Sequence, residues 1–370
     1  MKKDPYLFTP GPLTTSHTTK RSMLTDYGSW DEDFNKITNK IQKKLIKVVN
    51  GDKTFCCTPL QGSGSFGVEA MLINYINKNE KILILINGAY GERIAKICKY
   101  HKIKHKNFIW DEEKPINLEK LENIIKKNKA IDHLAFVHCE TSTGILNPLE
   151  KVSNLCKKHK IGLFIDAMST FGGIKIDVKK VNFKAIVASS NKCLEGVPGI
   201  SFIISRVTDI KKCKGNSDNL CMDLYDQWNY MEQTGRWRYT PPTHVVVALL
   251  EALNQFEKEG GTKARYKRYQ NNLFTLLNGL QKLGFESLLN PEDQSPIIAT
   301  FISPTNKKFN FSKFYSYLKS KGFIIYPGKM ANRDSFRIGC IGHINSKIIK
   351  QLVASIKSYL KSNDINLLTN

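Results

Sequence analysis

The sequence predicts an α/β protein: a large domain built on a mainly parallel sheet flanked by helices, followed by a smaller α+β domain. Three observations carry this. From about residue 55 to residue 210, short apolar runs alternate with helical stretches, the repetition that builds parallel sheets. Beyond residue 262 the alternation gives way to a mixed pattern of short strands and helices. The chain has 370 residues, 41% of them hydrophobic, enough for one large core and a smaller one.

Taken in order, residues 81–86 read as a strand, 88–101 as a helix, 134–138 as a strand and 149–159 as a helix. Residues 161–165, 185–188 and 200–204 read as further strands. A helix is expected over 243–259, ending at Gly260-Gly261, and a second over 263–283. After these come a strand at 297–302, a helix at 311–321, strands at 323–325 and 335–338, and a helix at 346–360. The large domain is therefore expected to end near 261 and the small one to occupy 262–370. The apolar runs fall far short of the ~20 residues of a membrane-spanning helix. The first residues include two lysines but no apolar run, so no secretory signal is expected.

The formal net charge is +23. A basic surface suits nucleic acid, because it displaces counterions from phosphates. Here the excess is nearly all Lys and is spread along the chain, with only short runs such as Lys126-Lys127-Asn128-Lys129. Solvated helix faces account for that pattern, so nucleic acid is not the expected partner. Nine cysteines, an odd count without C-x-x-C, argue against a disulfide framework and a structural zinc site. No metal is expected, and a reducing cytoplasmic compartment is.

Three motifs carry chemistry. Gly62-Ser-Gly-Ser-Phe-Gly67 spells G-x-G-x-x-G and opens a helical run over 68–76, but no acid closes the following strand to hold a nicotinamide ribose. What remains is a Gly/Ser turn at a helix N-terminus, either a phosphate cradle or an ordinary capped turn. Asp166 ends an apolar strand, where the ligand crevice of a parallel sheet lies. Lys192 follows another strand, and the 26 residues between it and Asp166 span about one strand–helix–strand unit. Pyridoxal phosphate unites the three. Its phosphate needs donors, available at Ser63, Gly64 and Ser65. Its ring nitrogen needs a carboxylate, Asp166, and its aldehyde an amine, Lys192. Tyr90 could stack on the ring.

The blocks Thr9-Pro-Gly-Pro-Leu-Thr-Thr-Ser16, Asp26-Tyr-Gly-Ser-Trp-Asp31, Gln61-Gly-Ser-Gly-Ser65, Asn87-Gly-Ala-Tyr-Gly91, His138-Cys-Glu-Thr-Ser-Thr-Gly144, Asp166-Ala-Met-Ser169, Ser190-Asn-Lys-Cys193, Trp237-Arg-Tyr-Thr240 and Phe336-Arg-Ile-Gly339 occur in order. Together they resemble the class V, fold-type-I aminotransferases, from about residue 6 to residue 357. The Asp-x-x-Ser-Trp-Asp and Ser-x-Asn-Lys-Cys blocks resemble the branch that transaminates 2-aminoethylphosphonate with pyruvate. The resemblance implies a seven-stranded sheet and a homodimer with active sites at the subunit interface. It makes Lys192 the Schiff-base lysine and Asp166 the pyridinium partner. Tyr90 is then the stacking ring, and Thr141 lies near the ring hydroxyl. Asn191 joins Ser63, Gly64 and Ser65 at the phosphate, and Thr240 reaches the phosphate of the neighbouring subunit. Arg337 holds the acidic end of the substrate, its planar fork suiting phosphonate and carboxylate alike. The 1–15 segment, with Gly11, folds near the site.

Two positions depart from the pattern: Glu195, a carboxylate three residues after the lysine, and the Pro241-Pro242 pair after Thr240. A serine– or alanine–glyoxylate aminotransferase of the same class is the nearest rival. A cysteine desulfurase would need Cys340 as its nucleophile, but its Ile-Gly-Cys-Ile-Gly setting predicts a buried thiol. From another class, a basic nucleic-acid-binding protein would lack a yellow cofactor.

Overall fold

The computed structural model describes residues 4–329 and 333–368. In chain order the first elements are β1 (Tyr6–Leu7), α1 (His17–Arg21), a 3-10 turn at Ser22–Leu24, α2 (Glu32–Val48), β2 (Phe55–Gln61), α3 (Gly64–Tyr75), β3 (Lys81–Ile86), α4 (Ala89–Tyr100), β4 (Lys104–Ile109) and α5 (Leu118–Lys127). Next are β5 (His133–Val137), β6 (Cys139–Glu140), β7 (Ile145–Leu146), α6 (Leu149–Lys158), β8 (Gly162–Asp166), β9 (Ala185–Ser189), β10 (Ile200–Arg206), α7 (Val207–Lys211), α8 (Leu224–Thr234) and α9 (Thr243–Glu259). The chain finishes with α10 (Gly261–Gln281), β11 (Ile298–Ile302), α11 (Phe311–Ser320), β12 (Phe323–Ile324), β13 (Tyr326–Pro327), β14 (Ser335–Gly339) and α12 (Ser346–Ser362).

The central sheet has seven strands in the order β2-β10-β9-β8-β5-β3-β4. All neighbours pair parallel except β10, which runs against both β9 and β2. The reversal follows from the connection. Only residues 190–199 separate β9 from β10, whereas a parallel return needs a crossover of a dozen or more residues. Both faces of the sheet are covered, so its inner strands are apolar throughout. In β3, Leu83 and Leu85 face the core shared with α2, α5, α6 and α9, while Ile82, Ile84 and Ile86 face α3 and α4.

Asp166 and Lys192 do lie at the ends of neighbouring parallel strands, β8 and β9. The helix expected between them is absent: residues 167–184 cross in successive turns. Gly172-Gly173 and the Asp177 turn, whose carboxylate accepts from Lys179 N, break helical continuity. Phe171, Ile176, Val181 and Phe183 nevertheless bury this crossover in the core.

A third core joins β11, β14 and β13 to α10, α11 and α12. The N-terminal segment packs here too: β1 pairs parallel with β12, and Phe8 is fully buried in this core. At its centre Phe336 meets Phe285, Phe301 and Phe314 at centroid distances of 5.6, 5.6 and 5.5 Å. Each such pair contributes about 0.5–1.5 kcal/mol beyond its buried area. This cluster anchors β14, and so fixes the neighbouring Arg337.

Candidate active site

The carboxyl ends of β3, β5, β8 and β9 open on one side of the sheet, beside the N-terminus of α3. A cavity of about 470 Å³ lies there, lined by Ser63, Gly64, Ser65, Tyr90, Asp166, Asn191 and Lys192 among others. The structure thus brings together the Gly/Ser turn, the acid and the lysine.

Ser63 occupies the N-cap position of α3, yet its side chain makes no capping hydrogen bond. Its hydroxyl and the first amides of α3 therefore remain available to an anion. A Cβ on Gly64 would meet the end of the Met168 side chain, which would have to shift to admit it. Asp166 is buried, and its Oδ1 accepts from Met168 N at 2.9 Å. Burial pushes its carboxyl up to about 6, against the pull of Met168 N and Lys192.

Lys192 stands on the turn between β9 and β10. Ser190 Oγ donates to Val197 O at 2.5 Å and Gly196 N to Ser190 O at 2.9 Å, closing that turn. The ammonium donates to Pro10 O at 2.7 Å. Gly11 is in contact with the same side chain: a Cβ on it would lie 2.5 Å from Lys192 Cδ and 2.8 Å from Nζ. Burial lowers the pKa of Lys192, and the charge of Arg337 adds to that, while Tyr90 and Asp166 oppose it.

Tyr90, Thr141 and Arg337 form a second group against the first. Arg337 is buried; its Nη1 donates to Thr141 O at 2.8 Å and its Nε to Pro327 O at 3.0 Å. Burial raises the phenol of Tyr90, but Lys192, Lys329, the hydrogen bond with Thr141 and Arg337 outweigh it and hold the pKa below its ordinary value. Thr240 does not line the cavity of its own chain. It is exposed just before α9, and Pro242 stands at the N-cap of that helix without a side-chain cap. Glu195 turns away from Lys192. Its Oε1 accepts from Tyr269 Oη at 2.6 Å and meets Arg268 Nη2 at 2.7 Å. Cys340 is fully buried, and burial raises its thiol pKa, so it is no nucleophile.

Three neighbours went unassigned in the sequence. Arg93 lies three residues after Tyr90 on the same face of α4, its guanidinium 4.9 Å from the ring centroid, and donates to Ser65 Oγ at 2.8 Å. That i, i+3 spacing was the available signal. Glu140, wholly buried, accepts from Tyr90 N at 3.0 Å and Gly91 N at 3.2 Å. Ser189 Oγ is buried on the cavity wall without a partner.

This donor set fits pyridoxal phosphate. The Ser63 hydroxyl and the first amides of α3 would meet a phosphate, Ser189 Oγ, unpartnered among the described residues, lines the same space, and a buried acid and a lysine sit at the other walls. Fold and site define a pyridoxal-phosphate-dependent enzyme of fold type I. Among solved structures, ureidoglycine–glyoxylate aminotransferase from Bacillus subtilis shares the fold at TM-score 0.88 and 20% identity, covering 100% of this chain and 96% of that one. Pyridoxamine–pyruvate aminotransferase from Mesorhizobium loti does so at TM-score 0.90 and 20% identity, covering 99% and 94%. The family model "Aminotransferase class-V" matches residues 18–368, and the chain belongs to that family. It is 48% identical over 364 residues, 98% of each chain, to 2-aminoethylphosphonate–pyruvate transaminase of Pseudomonas aeruginosa. The enzyme of the same name from Pseudomonas putida is 46% identical over 365 residues, 99% of each. Among the described residues no helix is long and apolar enough to cross a membrane.

Proposed function

We propose that this chain transfers the amino group of 2-aminoethylphosphonate to pyruvate, giving phosphonoacetaldehyde and L-alanine. The observation that carries the reading is the buried guanidinium of Arg337. It shares Tyr90 with Lys192, in a chain that matches enzymes of that name along its whole length. The fork of Arg337 meets the anionic end of either substrate in turn.

Ser63, Gly64, Ser65 and Asn191 would hold the cofactor phosphate, Tyr90 would cover the ring face and Thr141 would lie near the ring hydroxyl. Asp166 holds a proton at the ring nitrogen by offering a buried negative charge. When bound, pyridoxal phosphate supplies an electron sink and carries the amine between the two substrates. Lys192 Nζ, its pKa lowered by burial, gives up its proton readily. It would then carry the proton between the amine-bearing carbon of the substrate and the cofactor carbon that bore the aldehyde, in one direction with the donor and in the other with pyruvate. Gly11 leaves Lys192 room to move. We assign residues 16–261 to the large domain and 262–370 to the small one, with 1–15 beside the site. We further propose a cytoplasmic homodimer in which Thr240 reaches the partner's phosphate site. Its exposure outside its own cavity supports this.

The test is an assay of purified protein with 2-aminoethylphosphonate and pyruvate, measuring alanine. Alanine is expected, and Lys192→Ala is expected to remove both turnover and the cofactor's absorbance near the visible edge. Transamination of serine or alanine with glyoxylate, and none from the phosphonate, would overturn the assignment.

A further inference from the structure

Four cationic groups converge on the ring of Tyr90. The Lys329 ammonium is 4.2 Å from the ring centroid and the Arg93 guanidinium 4.9 Å, while Lys192 and Arg337 act on the phenol by their charge. Three of the four have partners that explain them. Lys192 donates to Pro10 O, Arg93 to Ser65 Oγ in the phosphate cradle, and Arg337 to Thr141 O. Lys329 has no ion-pair partner among the described residues, though it is exposed and free to reach one.

Its place in the fold indicates which anion it serves. Lys329 follows β13, and β14 returns beside that strand with Tyr326 opposite Arg337. Gly328 N donates to Ser335 O at 2.7 Å, closing the base of the hairpin. Lys329 and Arg337 are thus carried by one hairpin, whereas the phosphate cradle belongs to α3 and α4. Two substrates use the site in turn, and they differ in charge. A carboxylate carries one negative charge. A phosphonate has a second ionisable oxygen and a third oxygen, and it approaches two charges once the pH passes its second ionisation, which the ammonium of the donor brings down toward neutrality. One buried guanidinium balances the charge the two share, and the second charge needs a further cation.

We propose that Lys329 is that cation: it binds the second charge of the phosphonate donor and separates phosphonate from carboxylate substrates. The proposal rests on the phosphonate–pyruvate reading above. A lysine suits the task, because its compact, mobile charge pairs with the dianion and returns to water when pyruvate binds. It also keeps a strong cation off the buried floor of the site, where an unpaired charge would be costly during the pyruvate half of the cycle.

The test uses the cofactor-loaded enzyme and two unreactive probes of matched length, ethylphosphonate and propionate, with dissociation constants from calorimetry at a pH above the second ionisation of ethylphosphonate, where it is a dianion. Lys329→Met is expected to weaken ethylphosphonate on the order of tenfold, the scale of one charge-assisted contact, and propionate by less than about twofold. The KM for 2-aminoethylphosphonate rises and that for pyruvate does not, and Lys329→Arg restores most of the loss. Lys329 is itself exposed and belongs to none of the buried clusters, and unchanged cofactor absorbance shows that each variant is loaded. Equal effects on both probes, or none, overturn the role of Lys329. A wild type that makes no alanine from 2-aminoethylphosphonate overturns the functional reading instead, whatever the probes show.

Discussion

Glu140 has no part in the constellation read from the sequence, yet it is wholly buried between Tyr90 and Arg337. Its carboxylate accepts from the amides of Tyr90, Gly91 and Ser142 and from Ser142 Oγ. Burial pushes its pKa up to about 7, against these four donors, from an ordinary value of 4.5. Between those two values the native state keeps a proton that the unfolded chain releases. Stability is therefore fully present below the lower value and is lost as pH rises through the upper one, by roughly 3 kcal/mol in all. A glutamine at this position does not titrate, but it turns an NH₂ toward amides that need an acceptor. Glu140→Gln is thus expected to be clearly less stable than wild type at pH 5, and the gap is expected to narrow by pH 8. Urea unfolding of both cofactor-free proteins at the two pH values checks this. Parallel pH dependences would remove Glu140 as the titrating group.

At the scale of elements, α10 holds the two halves of the site in register. Arg265 Nη1 donates to Cys193 O at 2.7 Å, next to Lys192, and Arg268 Nη2 meets Glu195 at 2.7 Å. On its other side Arg268 Nη1 donates to Gly342 O and Ile344 O, in the segment that follows Arg337 and its strand. Glu259 completes the network against both arginines. Arg268→Ala strips one partner from a buried carboxylate, so a loss on the order of 3 kcal/mol is expected. A fall in kcat should accompany it, because the lysine turn and the Arg337 strand lose their common brace. Urea midpoints and kcat measured on the same variant test this, and unchanged values in both would show the network to be idle. The brace was not legible in the sequence, because its contacts to Cys193, Glu195, Gly342 and Ile344 span seventy residues and more, and only the Glu259 pairs are local. Strands such as 81–86 were legible, being buried on both faces and apolar throughout. The edge strand β4, Lys-His-Lys-Asn-Phe-Ile, was not, since lysines on an edge guard against pairing with another chain and hide the strand signal. Helix α2 left a fainter trace, with Phe34, Thr38, Ile41 and Leu45 at helical spacing inside a lysine-rich stretch. Lys192 and Asp166 stood out because strand ends in a parallel sheet are where ligands bind, and that argument needs no helix between them.

Over the whole molecule, the exposed apolar surface is concentrated around Thr240. Leu24, Trp30 (67% exposed), Phe66, Leu220 (71%) and Tyr239 account for five of the nine exposed large hydrophobic residues among those described. They lie on segments that touch one another. Arg236 covers the Trp30 ring at 3.6 Å, Arg238 lies 4.7 Å from the Tyr239 centroid and bonds to Leu220 O, and His244 meets Asp26 at 3.0 Å. Aromatic residues beside arginines are the composition of interface centres, and exposed apolar side chains such as Trp30, Leu220 and Tyr239 on neighbouring segments suit a partner surface. The patch adjoins the cavity, since Gly62 N donates to Gly199 O and Phe66 packs against Gly62. Under the proposed homodimer, a second copy docked there would set Thr240 against the phosphate end of its neighbour. Sedimentation is therefore expected to give a dimer, and Trp30→Glu with Tyr239→Glu a monomer with sharply weakened cofactor binding. Thr240→Ala should leave the dimer intact and weaken the cofactor alone, by roughly tenfold for one lost hydrogen bond to a charged phosphate. Fluorescence titration of pyridoxal phosphate separates the two variants. A double variant that sediments as a monomer yet binds the cofactor as tightly as wild type would show that each chain completes its own site.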